Sequence, residues 1–563
     1  MSNGRRAGPY PIQSPEYTIN TSQPSSSSVA IESETPPDSI RATKDCKESI
    51  DYGRTIVVCL DGTGDKFDND NSNVVHFVSC LKKHQSARQM TYYQSGIGTY
   101  DAGGLTNGIK AAMDMAVGSG LGVHIKDAYQ FLMQNYRDGD KICLLGFSRG
   151  AYTVRCLAGM LHKVGLLPAD NGSQVNFAYN FYKDDTPEGW KMSAEFKNTF
   201  CTDVNVYFVG VWDSVSSVGF IPRTLPFSKS PRNAISYFRH AMALDEHRAK
   251  FAVCPWQHYK SDYDPLNPSN DRPKAQVRRK ESRLGKILNW FRVTWKTYIA
   301  KSNKQKPDQN GTVGNGIAQS HDRHSSHKKL VADFNAEDTA GKEHLKKKSD
   351  VLEVWFMGAH ADVGGGAVAN ECRHMLSRIP LRWMIRQCFQ CNTGIVFDTA
   401  SLAEQGLDVH SLWPTYQPPE YPSLGPPPSL MEQYENGEEL SRRHRSLLLT
   451  SKYKAAADES PGNQRLAFLS EANEDFFDAL SSINDQLVQA KGWWILEFLP
   501  IKCHILTPDR NGWKKIVGMN LGRHRAIRQS EPNMHWTVKH MMEQKQYKVK
   551  GSCVRDTNWQ VVT

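Results

Sequence analysis

Lys141-Ile142-Cys143-Leu144-Leu145-Gly146-Phe147-Ser148-Arg149-Gly150 joins a short apolar run to the pattern G-x-S-x-G, and beyond it Val154, Leu157, Ala158 and Leu161 recur at helical spacing. A short apolar run closed by glycine suits a buried strand, and apolar residues three and four apart suit a helix. A strand that becomes a helix across Gly146 to Gly150 is a candidate nucleophile elbow. Glycines at its two ends let neighbouring backbones close in while the serine Oγ stands clear of the turn. The competing reading is a glycine-rich turn of an α/β fold with no chemistry attached.

Outward from this stretch the same rhythm repeats. Ile56 to Leu60, Val204 to Trp212 and Val351 to Met357 read as further strands, separated by helical segments. Near-continuous apolar strands alternating with helices argue for a mostly parallel sheet covered on both faces, an α/β fold. Three of these strands run into Ser148, Asp213 and His360. Ligands of open α/β sheets bind outside the carboxyl ends of the strands, so the three residues are expected to converge.

Together they supply a serine nucleophile, a base and an acid. A neutral serine hydroxyl needs a base within hydrogen-bond reach, and the base needs an acceptor that fixes its tautomer. The order serine, acid, histidine is the α/β-hydrolase order. His360 sits after a strand in Gly358-Ala359-His360-Ala361-Asp362-Val363-Gly364-Gly365-Gly366, where glycines allow a tight presenting loop. His240 and His247, in Arg239 to Arg248, fall in a stretch that reads as helical, where a structural histidine fits better. Asp362 rivals Asp213 as the acid, but its closeness to His360 would force an awkward approach to the same ring. An oxyanion needs two preorganised donors. The residue after the nucleophile, Arg149, is expected to give one, and Gly62 and Thr63 of Asp61-Gly62-Thr63-Gly64-Asp65 the other. A strand ending in D-G-T also resembles the aspartyl phosphatases of the haloacid dehalogenase type, whose nucleophilic aspartate would stand where this chain has Cys59. Asp61, Asp65, Asp68 and Asp70 do not follow an EF-hand spacing, and no metal or cofactor is assigned.

Composition bounds the setting. The chain has 563 residues and a net charge of +10. Residues 272–348 hold 19 Lys and Arg against 7 Asp and Glu, so this one segment accounts for the whole excess. A concentrated basic insertion suits an anionic surface or a solvated loop better than a nucleic-acid cleft, and no nucleic-acid reading module is found. From Val277 to Ala300, Leu284, Ile287, Phe291 and Trp295 share a helical face, and Arg278, Arg279 and Lys280 lead its cations. Such a helix can lie in an anionic membrane interface, or it can close over the core as a lid. The twelve cysteines are scattered, several inside expected strands, and Cys388-x-x-Cys391 is a lone pair, so neither a disulfide framework nor a zinc site is expected. With no long apolar span and no signal-like N-terminus, the chain reads as cytoplasmic, with peripheral membrane contact if the basic helix is an interfacial one and none if it is a lid. The expected layout is a disordered tail over residues 1–52, a core over 53–256 and 350–400, the basic insertion over 257–349, and a mainly helical C-terminal region over 401–563 that packs on the core. Trp493, Trp494, Ile495, Leu496, Phe498 and Leu499 form an apolar cluster expected to dock on it.

Five motifs in order, Leu60 to Thr63, Gly146 to Ala151 (GFSRGA), Val211 to Val215 (VWDSV), Arg239 to Arg248, and Trp355 to Gly366, resemble the catalytic domain of the type VI secretion phospholipase effectors and their fungal relatives. The resemblance implies an α/β-hydrolase fold, no cofactor, and a serine hydrolase cleaving acyl esters of lipids, phospholipids foremost, through Ser148, Asp213 and His360. Against it stand a soluble carboxylesterase or thioesterase, for which the insertion is only a lid, and an inactive hydrolase-like scaffold. The oligomeric state, acyl chain and head group are left open.

Overall fold

Strand residues of this chain alternate between two apolar layers rather than between core and solvent. In Thr55–Leu60 (β1), Val57 and Cys59 belong to one buried cluster, while Ile56, Val58 and Leu60 belong to another. A strand apolar on both faces must be covered twice, which explains why its sequence reads as a continuous run. The computed structural model describes residues 36–45, 53–96, 120–215, 225–227, 234–256, 348–420, 425–436 and 470–563. The other strands of the main sheet are Gln89–Gln94 (β2), Lys141–Phe147 (β3), Val206–Trp212 (β4), Ile235–Ala243 (β5), Asp350–Phe356 (β6), Asn533–His535 (β7) and Gln560–Val562 (β8). They lie in the order β8-β7-β6-β5-β4-β3-β1-β2. Every pairing in this sheet is parallel, an α/β-hydrolase-like sheet with helices on both faces.

Helices Asn73–Cys80 (α1), Leu121–Asn135 (α2), Ser148–Val164 (α3), Arg378–Gln390 (α4), Glu471–Ala479 (α5) and Trp536–Glu543 (α6) supply most of the cover. α2 and α3 pack on the face of Ile56 and Val58; α1, α4, α5 and α6 contribute to the cluster of Val57 and Cys59. All 17 residues of α3 are buried, so the helix that begins at Ser148 is clamped along its whole length.

The sequence reading departs from this fold at three places. Arg239 to Arg248 was expected as helix, but Ile235–Ala243 is β5, in the middle of the sheet. A short buried run has no periodicity that separates strand from helix. Its polar residues are absorbed by partners: Arg239 donates to Gln387 Oε1 at 2.7 Å, and His240 Nδ1 meets Glu353 Oε1 at 2.9 Å. Residues 36–45, read with the N-terminal tail, instead join the fold, with Ser39–Arg41 pairing antiparallel to Val396–Asp398 and Ile40 buried. The C-terminal region does carry helices, yet it also completes the sheet with β7 and β8 and adds an antiparallel hairpin, Ile501–Leu506 with Trp513–Gly518. Residues 1–35 of the tail and 257–347 of the basic insertion, including Arg278, Arg279, Lys280, Leu284, Ile287, Phe291 and Trp295, lie outside the described residues. Among the described residues no helix is long and apolar enough to cross a membrane.

Candidate active site

Strand register fixes where the site forms. Leu60 pairs with Gly146, Phe147 with Trp212, Trp212 with Ala241, and Ala243 with Phe356, so β1, β3, β4, β5 and β6 end side by side. The residues that follow, Asp61, Ser148, Asp213 and the loop from Met357 to His360, therefore share one edge.

Ser148 starts α3 directly from β3 with φ of +57°, a left-handed conformation that a serine holds only where its surroundings enforce it. The enforcement is close backbone packing. A Cβ on Gly150 would stand 2.3 Å from the Leu60 carbonyl oxygen and 2.4 Å from that of Asp61, and one on Gly146 would stand 2.8 Å from the Ala151 nitrogen. Only glycine fits at either end of the turn.

His360 opens the short helix His360–Gly364 after β6. Its Nε2 lies 2.7 Å from Ser148 Oγ and its Nδ1 lies 2.5 Å from Asp213 Oδ2. The ring sits between Phe147, at 4.7 Å between centroids, and the edge of Phe251, at 4.8 Å. Its backbone N–H donates to Glu246 Oε2 at 3.3 Å. Burial lowers the imidazole pKa below its ordinary value, and the neighbouring Asp213 and Glu246 only partly oppose this, so the ring is held neutral.

Asp213 is fully buried, in a left-handed backbone conformation with φ of +38°. Arg525 reaches it from the C-terminal region with both terminal nitrogens, Nη1 to Oδ1 at 2.6 Å and Nη2 to Oδ2 at 2.8 Å. Ala243 N–H donates to Oδ1 at 3.0 Å. Burial would raise the Asp213 pKa; the Arg525 charge and the hydrogen bonds from His360 and Arg525 outweigh it and hold the carboxyl far below the usual range. Asp362, the rival acid, is turned away from the ring: its Oδ2 accepts from Ala359 N and Asn484 N at 2.8 and 2.9 Å, and its Oδ1 from Asn484 Nδ2 at 2.7 Å.

A cleft of about 230 Å³ opens on Ser148 and His360. Val215, Phe251, Trp493 and Leu496 give it an apolar side, while Arg248, Lys250 and Asp65 line it with charge. Arg248 is anchored by Glu246, Nη2 to Oε2 at 2.7 Å, and covers the Phe251 ring at 3.6 Å. Arg149 follows Ser148 in the first turn of α3 and lines the cleft. Of the two residues expected to complement it, Gly62 is corrected: its N–H is already committed to Asp61 Oδ1 at 2.8 Å. Thr63 lines the cleft, and its hydroxyl has no hydrogen-bond partner among the described residues. Asp61 is itself buried, accepting from Ser72 Oγ at 2.8 Å and Tyr93 OH at 2.9 Å, with its pKa pushed up to about 6 mainly by burial. Its role in this loop is to fix the turn that carries Thr63.

Three groups around the site escaped sequence reasoning: Arg525, the Glu246–Arg248 pair and Phe251. Glu246, Arg248 and Phe251 could have been suspected once Arg239 to Arg248 was read as a strand running to the same edge. Arg525 had no local signal at all. Cys388 and Cys391 are both buried free thiols, away from this cleft.

An α/β-hydrolase-like sheet with a serine, a histidine and an aspartate hydrogen-bonded in series at its carboxyl edge defines the structural class. Residues 54–387 match the model of the type VI secretion system phospholipase effector Tle1-like catalytic domain, and the chain belongs to that family of lipid hydrolases. An uncharacterised protein of Saccharomyces cerevisiae is 26% identical over 565 residues, covering 86% of this chain and 78% of the yeast protein. Among solved structures, the Tle1 effector bound to the VgrG spike is 13% identical, with a TM-score of 0.28 over 75% of this chain and 84% of that one. An uncharacterised Pseudomonas aeruginosa protein is 14% identical, with a TM-score of 0.26 over 61% of this chain; the match spans 47% of that protein.

Proposed function

We propose that the protein is a serine hydrolase that cleaves acyl ester bonds of phospholipids, in the manner of a phospholipase A, through an acyl-enzyme intermediate. The observation that carries this reading is the series Ser148 Oγ, His360, Asp213 at 2.7 and 2.5 Å, opening on a cleft with an apolar wall. In the reaction, Ser148 Oγ–H gives its proton to neutral His360 Nε2 while Oγ bonds to the acyl carbonyl carbon. The carbonyl oxygen gains the negative charge, and the Arg149 N–H and Thr63 are the donors we assign to it. The ester C–O bond then breaks, the imidazolium protonates the departing alcohol oxygen of the lysolipid, and the acyl group stays on Ser148. Water, deprotonated by His360, releases the fatty acid by the reverse sequence. Asp213 remains ionised throughout and stabilises the imidazolium, which is the role its Arg525 partner favours. Val215, Phe251, Trp493 and Leu496 suit an acyl chain, and the cations Arg248 and Lys250 suit the phosphate of a head group.

Ser148→Ala removes the nucleophile without adding bulk. Turnover of phospholipid vesicles and of a fluorogenic acyl ester is expected to fall at least about 10⁴-fold, with an unchanged circular dichroism spectrum. Wild-type turnover in that variant overturns the assignment of the nucleophile. Lipid-product analysis of the wild type separates the phospholipase from a soluble ester hydrolase, since the latter leaves vesicle lipids intact.

A further inference from the structure

Several exposed apolar side chains of the C-terminal region are gathered in one place. The turn Trp494–Glu497 buries Leu496 and Glu497 and faces Trp494, Ile495 and the following Phe498 outward, with Ile495 49% and Phe498 57% exposed. Residues 519–522 are tied to this turn: Asn520 N and Leu521 N donate to the Glu497 carbonyl at 3.2 and 3.4 Å, and Gly522 N to its carboxylate at 2.9 Å. That brings the exposed Met519 and Leu521 beside it. Trp494 Nε1 donates to the Leu487 carbonyl at 3.1 Å, which adds exposed Val488. Large apolar side chains held together at the surface mark a contact site, whereas single ones do not.

Two further observations say what the contact is. The exposed charges of this stretch are Lys491, Lys502, Arg510, Lys514, Lys515 and Arg523 against Asp509 alone, so the stretch that carries the apolar patch is strongly cationic. Beside it, a cavity of about 280 Å³ gathers Lys502, His504, Arg523 and Arg528, with Arg528 Nη1 donating to His504 Nε2 at 3.4 Å. Apolar side chains within a cationic stretch are the pattern of an interfacial lipid contact.

We propose that this face, Val488 to Arg523, docks the protein on a lipid surface carrying anionic head groups. The proposal deepens the phospholipid reading and rests on it for its purpose: Leu496 of the same turn and Trp493 just before it line the cleft of Ser148, so a lipid leaving the bilayer here meets the nucleophile.

The test uses the full chain carrying Ser148→Ala, sedimented with vesicles of phosphatidylcholine alone or mixed in equal parts with phosphatidylserine. Binding is expected to favour the mixed vesicles. Adding Ile495→Glu with Phe498→Glu should lower the bound fraction at least about tenfold, and Lys502→Glu with Arg523→Glu should remove the preference for phosphatidylserine. In the chain that keeps Ser148, the Ile495 and Phe498 pair should leave turnover of a soluble short-chain ester unchanged, which reports an intact fold. Should that pair misfold, Val488→Glu with Leu521→Glu carries the same expectation. Equal sedimentation of folded variants and parent overturns the docking surface. Vesicle binding that follows the predicted pattern in a wild-type chain hydrolysing no ester leaves the docking surface standing and overturns the hydrolase reading instead.

Discussion

Asp213 is held by four groups at once: His360, both terminal nitrogens of Arg525, and the Ala243 amide. A carboxylate this buried survives as an anion only because its partners supply more than burial removes. Arg525→Met keeps much of the side-chain volume and deletes the charge. It is expected to cost about 3–5 kcal/mol in denaturant unfolding, the usual cost of leaving one half of a buried pair. The pH dependence carries a separate signature. A folded pKa held below the ordinary carboxylate value contributes stability that is complete above that ordinary value and is lost as pH falls through the folded one. In the wild type this loss runs from the ordinary carboxylate range down to very acidic pH; in Arg525→Met the folded pKa is less depressed, so this acid-dependent loss should shrink or vanish. His360 acts in the same sense at higher pH: its pKa is lowered on folding, so stability declines as pH drops below the unfolded histidine value of about 6.5. Because a base must be neutral to act, the acid limb of the turnover profile is expected below that same value in the wild type. A limb at or above it would contradict the buried, neutral ring. Ser148, Asp213 and His360 were legible in the sequence because each follows a strongly apolar strand. Arg525 was not, because it lies 312 residues from Asp213 and no local pattern marks one arginine among 69 Lys and Arg.

At the scale of elements, the turn between β3 and α3 depends on how closely it passes β1. Gly150→Val would drive a Cβ into the Leu60 and Asp61 carbonyls, contacts of 2.3 and 2.4 Å against backbone that cannot rotate away. A loss of about 1–3 kcal/mol from overpacking is expected, together with a fall in ester turnover, since the same shift moves Ser148 away from His360. Unchanged turnover and an unchanged unfolding midpoint would show that the turn has slack. A second joint lies between α4 and α5. Arg386 pairs with Glu471 through two contacts of 2.5 Å, and Arg382 reaches both Asp475 and Asp478. This buried clamp fastens a helix of the C-terminal region to one that follows His360. The apolar spacing of α3 announced that helix in advance, whereas β5 was misread because its Arg239 and His240 have partners on other elements and so need not face water.

At the scale of the whole molecule, the region after residue 400 is part of the site rather than an appendage. It supplies Arg525 to Asp213, Trp493 and Leu496 to the cleft, Asn484 to Asp362, and two strands to the sheet. A chain ending after residue 420 is therefore expected to lack Ser148 labelling by a fluorophosphonate probe and to show no cooperative unfolding. Full labelling of that fragment would mean that residues 54–387, the span of the family match, suffice alone. The sequence by itself determined the parallel α/β class, the strand-turn-helix around Ser148, and the order of the three polar strand ends, because periodicity and glycine placement report local burial and backbone geometry. Only the tertiary structure decided that Gly62 N–H serves Asp61 while Thr63 faces the cleft, that Asp362 is turned from the ring, and that Arg525 neutralises Asp213. Those choices are made by which surfaces the completed sheet brings together, and long-range ion pairs leave no periodic trace in the chain that forms them.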